Sequence, residues 1–336
     1  MSRHRFTSIA SRSLVKAALM LILSGATLVA RAQLKRFDYS ADAMGGAFSL
    51  ALYAPTRAYA DAASSAAFDE LRRLDRMLSN YRPDSEWSEV NRYAATRGVR
   101  VSQELFALLS ACLEYSRLSE GAFDITVGPL MKAWGFYDGS EKAVDDAALQ
   151  EARASVGYTH VSLDPGECIV RFNRAGVELD PGGIGKGYAV DRMVAVLKRS
   201  GIQGALVSAA GSSLFALGAP PDQEGWQVNI HDQNLPERTS IQLVLKDESL
   251  TTSGVSLKFV RVDGKAYGHI MDPRTGLPAR GVSLVSVRAP SALDGEAWAK
   301  AFFVNGRSWS VRHIPSGFQV FFCAEEAGRP VCGWLP

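Results

Sequence analysis

Residues 179–193 read LDPGGIGKGYAVDRM. Four glycines and a lysine separate an apolar run from a segment whose Tyr188, Val190, Met193, Val194 and Leu197 recur at helical spacing. A strand-like run breaking into a glycine-rich turn and then an amphipathic helix is a place to hold a phosphate: glycines let a ligand approach the backbone, a helix start offers N–H groups, and Lys186 adds charge. It matches neither common phosphate motif. A P-loop needs G-x-x-x-x-G-K-[ST], but Asp180 stands at the first glycine position and Gly187 follows Lys186. A dinucleotide fingerprint needs G-x-G-x-x-G, whereas Gly183, Gly185 and Gly187 give G-x-G-x-G.

Upstream, AFSLALYAP (47–55) reads as a strand, and residues 59–79 as a helix with Leu71, Leu74 and Leu78 on one face. Ser102 caps a further helix whose buried stripe is Leu105, Leu108, Leu109, Cys112 and Leu113. Residues 121–139, GAFDITVGPLMKAWGFYDG, carry no periodicity and read as a loop. Strand-like runs occur at HVSLD (160–164), CIVRFN (168–173) and GVELD (176–180). More follow at 204–218, 226–232, 241–254, 258–272, where Asp263-Gly264 marks a hairpin turn, and 282–290. The helix LDGEAWAKAFFVNG (293–306) and the strand FQVFFCA (318–324) close the chain. Interleaved strands and helices, many strands joined by turns, predict an α/β (α+β) protein: one compact domain with a mixed sheet and packed helices.

The first residues carry an address. Arg3, His4 and Arg5 precede the apolar run LVKAALMLILSGATLVA (14–30), and Ala30-Arg31-Ala32 is a small-x-small site. This is the layout of a signal peptide over residues 1–32, leaving 33–336 as an exported, periplasmic chain; a retained membrane anchor is the alternative. Of the 336 residues, 37 are Lys or Arg and 35 Asp or Glu, a net charge of +2 without a basic stripe, so nucleic acid is not an expected partner. The four cysteines show no zinc spacing. In an oxidising compartment Cys323 and Cys332, bracketing a turn-rich stretch, suit a hairpin disulfide, while Cys112 suits the core.

A second cluster, YGHIMDPRTGLP (267–278), sets His269 and Asp272 beside a turn forced by Pro273 to Gly276. With MGG (44–46), LSNYRPDSEWSEVNR (78–92), GAFDITVGPLMKAWGF (121–136), ELDPGGIGKGYAVD, GALVSAAGSSLFALG, LTTSG (250–254) and EAWAKAFFVNG (296–306), the chain resembles the ApbE-type flavin transferase family in order and spacing. The resemblance implies an exported FAD:protein FMN transferase, which cleaves FAD and joins FMN by a phosphodiester to a Thr or Ser of an exported redox protein, with possible inner-membrane association through that acceptor. It implies that Met44, Asn80, Tyr81, Asp124, Gly182, Lys186, Tyr188 and Met271 bind the flavin nucleotide. His269, Asp272 and Lys186 are then the catalytic residues, a neutral imidazole being suited to accepting the acceptor's hydroxyl proton.

The family's magnesium ion is held by a carbonyl in the glycine-rich motif, here Gly185, and by an Asp and a Thr one helical turn apart. At those positions this chain has Glu296 and Lys300. A protonated lysine has no lone pair for a metal, and Glu–Lys at i, i+4 is a stabilising helix pair. The expectation is that Lys300 occupies the metal's place, with a magnesium site shifted onto Asp294 as the alternative. A non-catalytic periplasmic FAD-binding protein and an FAD pyrophosphatase are the competing functions.

Overall fold

The structure, a computed structural model, describes residues 33–137, 145–230, 241–255, 259–262, 265–326 and 329–336. The expected signal segment 1–32 and the Asp263-Gly264 turn lie outside them.

Eight strands build one sheet: β1 (Lys35–Ala43), β2 (Gly46–Ala54), β3 (Ala205–Ala209), β4 (Ser213–Leu217), β5 (Glu248–Gly254), β6 (Val282–Ala289), β7 (Gln319–Glu326) and β8 (Arg329–Trp334). Their order across the sheet is their order along the chain. The architecture is the expected α/β one, but every neighbouring pair in this sheet runs antiparallel rather than in mixed directions. Short turns between β1 and β2, β3 and β4, and β7 and β8 allow only antiparallel pairing.

Eight helices occur among the described residues: α1 (Arg57–Leu78), α2 (Glu86–Tyr93), α3 (Gln103–Leu118), α4 (Gly128–Ala133), α5 (Asp146–Ala154), α6 (Gly185–Arg199), α7 (Ala292–Asn305) and α8 (Arg307–His313). The first six fall between β2 and β3, α7 and α8 between β6 and β7. The strands alternate as period two requires: Phe48, Leu50, Leu52, Val207, Val285, Val287, Val320 and Phe322 pack with α1, α6 and α7. Ala51, Ala216, Leu250, Leu284, Phe321 and Cys323 face the other way, against a hairpin of Trp226–Ile230 and Ile241–Leu245. Cys323 and Cys332 stand opposite one another on β7 and β8 and form the hairpin disulfide. Cys112 is a buried thiol on α3.

Two stretches differ from their sequence reading. Within the loop 121–139, Pro129 opens α4, its missing N–H costing nothing at a helix start. GVELD forms no strand because its backbone is bonded to side chains and loops instead. Asn91 accepts from the Leu179 N–H, Trp87 and Asn91 donate to the Leu179 carbonyl, and the Asp180 N–H donates to the Ile125 carbonyl at 2.7 Å. This cross-bracing fixes the entry to the glycine-rich loop.

Helix α7 is apolar around most of its girth, as a core helix must be, with Ala297, Trp298, Ala299, Ala301, Phe302 and Phe303 buried. Its N-terminus is held twice. Ser291 caps the Asp294 N–H, and Asp191 of α6 accepts from the N–H groups of Ala292 at 2.8 Å and Leu293 at 2.9 Å. Burial pushes the Asp191 carboxyl up to about 6, with Asp294 and Glu296 adding to the shift and the two N–H bonds opposing it. A carboxyl whose folded pKa lies above its unfolded value of 3.8 binds its proton more tightly in the native state, so its ionisation removes stability as pH rises from about 4 to about 6. Glu70 moves oppositely: hydrogen bonds from Arg73 and Arg192 hold it at about 2, so its contribution is lost only as pH falls below about 4.5. Urea titrations across pH 4 to 6 are expected to show a falling unfolding midpoint that Asp191→Asn flattens. An unchanged slope in the variant would assign the dependence elsewhere.

Candidate functional site

At one end of the sheet lies a cavity of about 540 Å³. Two hairpin tips form part of its wall. Met44 and Gly45 join β1 to β2 with φ of 49° and 71°, and in the Ala210–Ser212 turn from β3 to β4, Ala210 and Gly211 have φ of 50° and 69°. Successive positive φ values are the tight-turn geometry whose twist matches that of the strands. The Met44 N–H donates to Asp75 at 3.0 Å, tying this tip to α1. Gly46 lies closer to Ala210 than a side chain would allow, a Cβ there falling 2.9 Å from the Ala210 Cβ, so the two tips abut.

The opposite wall is the glycine-rich loop. Asp180 accepts from the Gly182 N–H at 2.6 Å and from the Tyr137 hydroxyl, and Pro181–Gly183 coil into a single 3₁₀ turn before α6 starts at Gly185. Tyr81, 72% exposed, meets Tyr137 edge to face with ring centroids 6.0 Å apart. An exposed aromatic at a cavity mouth offers a flat surface to a planar ring. Asp180, Tyr137, Ser213 and Thr251 line the cavity without having been singled out in sequence. LTTSG was visible as a motif, but nothing in it said which hydroxyl faces inward.

Of the residues expected here, Met44, Asn80, Tyr81, Asp124, Gly182, Gly185, Lys186, His269, Met271, Glu296 and Lys300 all line the cavity. Stretches more than 250 residues apart in sequence thus converge on one cleft. Asp124 is 6% exposed and its oxygens accept from the Thr126 N–H and hydroxyl and from the Tyr158 N–H at 2.6 Å. Burial raises its pKa against those bonds; its carboxylate holds the loop in shape.

Tyr188 and Asp272 do not line the cavity. Tyr188 lies two residues beyond Lys186 on α6, about 200° around the helix, and its hydroxyl donates to Glu104 at 2.8 Å. Asp272 is enclosed by its own turn: Arg274 donates to it from the backbone at 3.0 Å and from the guanidinium Nε and Nη2 at 2.9 and 3.1 Å. Its carbonyl accepts from the Gly276 N–H. Asp272 therefore shapes the turn that carries His269 and Met271 rather than reaching into the cleft.

The donor set at the expected metal position does not suit magnesium. Glu296, 2% exposed, spends one carboxylate oxygen on the Gly187 N–H at 2.5 Å and the other on the Lys300 ammonium at 3.4 Å. Gly185 is the first residue of α6, so its carbonyl serves the first helical turn. Magnesium wants oxygen ligands in near-octahedral order, and an ammonium within the site repels it. Asp294 does not complete a shifted site, because it accepts from the Tyr115 and Ser291 hydroxyls on the far side of that turn. Among the described residues no cluster of three His, Cys, Asp or Glu can hold a metal ion.

Residues 44–322 match the sequence model of the ApbE family. The chain is 32% identical over 290 residues to an FAD:protein FMN transferase of Treponema pallidum, the match covering 81% of this chain and 80% of the relative. It is 31% identical over 272 residues to an FAD:protein FMN transferase of Klebsiella pneumoniae, covering 80% and 82%. Among solved structures, the ApbE protein of Thermotoga maritima superposes with a TM-score of 0.80 at 27% identity, covering 88% of this chain and 96% of that one. The apo flavinyl transferase ApbE of Pseudomonas stutzeri gives 0.78 at 27%, covering 90% and 95%. These likenesses span both the sheet and the cleft. The chain belongs to the ApbE family.

Gly187 shows how tightly the cleft wall is built. A Cβ there would lie 2.4 Å from the Ala292 carbonyl oxygen and 2.8 Å from a Glu296 oxygen, and the nearer atom is backbone of another helix. Gly187→Ala is expected to separate α6 from α7 and to cost roughly 1–3 kcal/mol in urea unfolding. A gain of about 1 kcal/mol, the helix-propensity effect alone, would contradict this packing.

Proposed function

We propose that this chain is an FAD:protein FMN transferase, acting on an exported acceptor protein. The observation that carries the proposal is the convergence of Met44, Asn80, Tyr81, Lys186, His269 and Met271 on one cleft in a chain of the ApbE family. In the reaction, the oxygen of an acceptor Thr or Ser hydroxyl attacks the phosphorus of FAD's FMN half. The bond from that phosphorus to the bridging oxygen breaks, and AMP leaves with that oxygen. The hydroxyl proton passes to the His269 imidazole and from there to solvent. Lys186 neutralises charge gathering on the non-bridging oxygens, the main task of a protein in phosphoryl transfer. Tyr81 and Met271 offer apolar surface to the isoalloxazine, and Gly182 lets the loop backbone approach the phosphates.

The expected magnesium ion enters no step, because Glu296 and Lys300 already satisfy one another. The basic start, apolar run and Ala30-Arg31-Ala32 site support export to the periplasm, where an exported redox protein supplies the acceptor and its own membrane attachment draws the transferase to the inner membrane.

Incubation with FAD and an acceptor domain is expected to add the mass of FMN to that domain and to release AMP. AMP without labelled acceptor would make the chain an FAD pyrophosphatase, and intact bound FAD a storage protein. His269→Ala is expected to lower transfer by about 10²-fold or more while FAD still binds, read by labelled-acceptor mass and by flavin fluorescence. Undiminished transfer in that variant would remove His269 from the chemistry.

A further inference from the structure

Lys300 is an unusual residue to find in a cleft wall. Its side chain is 18% exposed, its stem lies against the glycine-rich loop with Cδ and Cε 3.6 and 3.7 Å from where a Gly183 Cβ would be, and its ammonium reaches the Glu296 carboxylate at 3.4 Å. Burial lowers its pKa, and the nearby Lys186 lowers it further, while Glu296 opposes both. Two lysines close enough to repel one another therefore share one cleft. Glu296, the carboxylate paired with Lys300, is divided between that ammonium and the Gly187 N–H, and Asp180, a second carboxylate acting on Lys300, accepts from the Gly182 N–H and the Tyr137 hydroxyl. Such an arrangement is relieved by an anion.

Two further side chains point to the same occupant. Ser213 and Thr251 are directly opposite one another on β4 and β5, so their side chains share the sheet face that α7 covers. Both are 1% exposed or less, both line the cleft, and neither the Ser213 nor the Thr251 hydroxyl has a hydrogen-bond partner among the described residues. The Thr251 Oγ1 is 3.0 Å from where a Gly295 Cβ would be, beside Glu296. A buried hydroxyl left without a partner costs on the order of 1–3 kcal/mol, which a ligand oxygen would recover.

We propose that Lys300 takes the place of a divalent cation in this chain: its ammonium, with Lys186 and the hydroxyls of Ser213 and Thr251, holds the pyrophosphate of FAD, so that FAD binds without metal. The proposal rests on the FAD reading of the cleft. An ammonium provides one positive charge and three N–H donors, where a metal ion provides two charges and open coordination positions. It supplies neutralisation and orientation of the phosphates without a bound metal, and the stem lying against Gly183, with the ammonium donating to the Glu296 carbonyl at 3.3 Å, fixes the charge beside the loop.

The test is isothermal titration of FAD into the full chain, once in excess EDTA and once in excess magnesium. Affinities agreeing within about twofold in the two conditions are expected, and an affinity at least about tenfold higher with magnesium would overturn the proposal. Lys300→Met, which keeps the stem and loses the charge, is expected to weaken FAD binding about tenfold or more, with no rescue by magnesium. Unchanged affinity in that variant would equally overturn it, and a far-ultraviolet melting curve distinguishes lost binding from lost fold. If the variant does not fold, the wild-type comparison alone decides. FAD bound only with magnesium would sink this inference and leave the transferase reading standing. No FAD binding in either condition would sink both.

Discussion

The Glu296 carboxylate is where the two halves of the cleft are joined. One oxygen accepts from the Gly187 N–H in the first turn of α6, and the other holds the Lys300 ammonium one turn further along α7. The helices can meet there only because residue 187 has no side chain. A buried carboxylate with a single partner is costly, and removing one member of such a pair typically destabilises by about 3–5 kcal/mol. The spacing of the glycine-rich loop from α7, and so the width of the cleft between them, follows from this contact.

The rest of the site is arranged around that junction by ordinary means. Asp191 and Ser291 hold the start of α7, and Asn91, Trp87 and Ile125 brace the approach to the loop. Two hairpin turns with consecutive positive φ present Met44 and the Ala210–Ser212 corner to the cavity. Arg274 closes on Asp272 to shape the turn bearing His269 and Met271, and then donates to Asn305 near the end of α7 at 2.8 Å. The cleft is thus walled by segments that α7 touches or its neighbours brace.

Much of this was legible in sequence because it depends on local chemistry. The glycine-rich junction, Lys186 beside it, the capped helix at Ser102 and the cysteine pair around a turn are all set by neighbours in the chain. What sequence could not supply was direction. Tyr188 sits in the same motif as Lys186, yet two residues of helix turn it to the other side, toward Glu104. Asp272 and Asp124 look like available carboxylates until their turns close on them. Ser213 and Thr251 meet only across a strand pairing, and Tyr137 reaches Asp180 only after the chain has folded back on itself. The antiparallel run of the whole sheet was hidden for a similar reason: six helices lie between β2 and β3, and alternation of strand and helix does not fix the sense of a long return.

In the proposed arrangement an ammonium, rather than a metal ion, stands between Glu296 and the phosphates. A crystal grown with FAD and manganese, measured at a wavelength where manganese scatters anomalously, addresses it directly. Pyrophosphate oxygens are expected within hydrogen-bonding reach of the Lys300 and Lys186 ammonium groups, with no anomalous peak among Gly185, Glu296 and the phosphates. An anomalous peak there, with the Lys300 side chain turned out of the cleft, would contradict it.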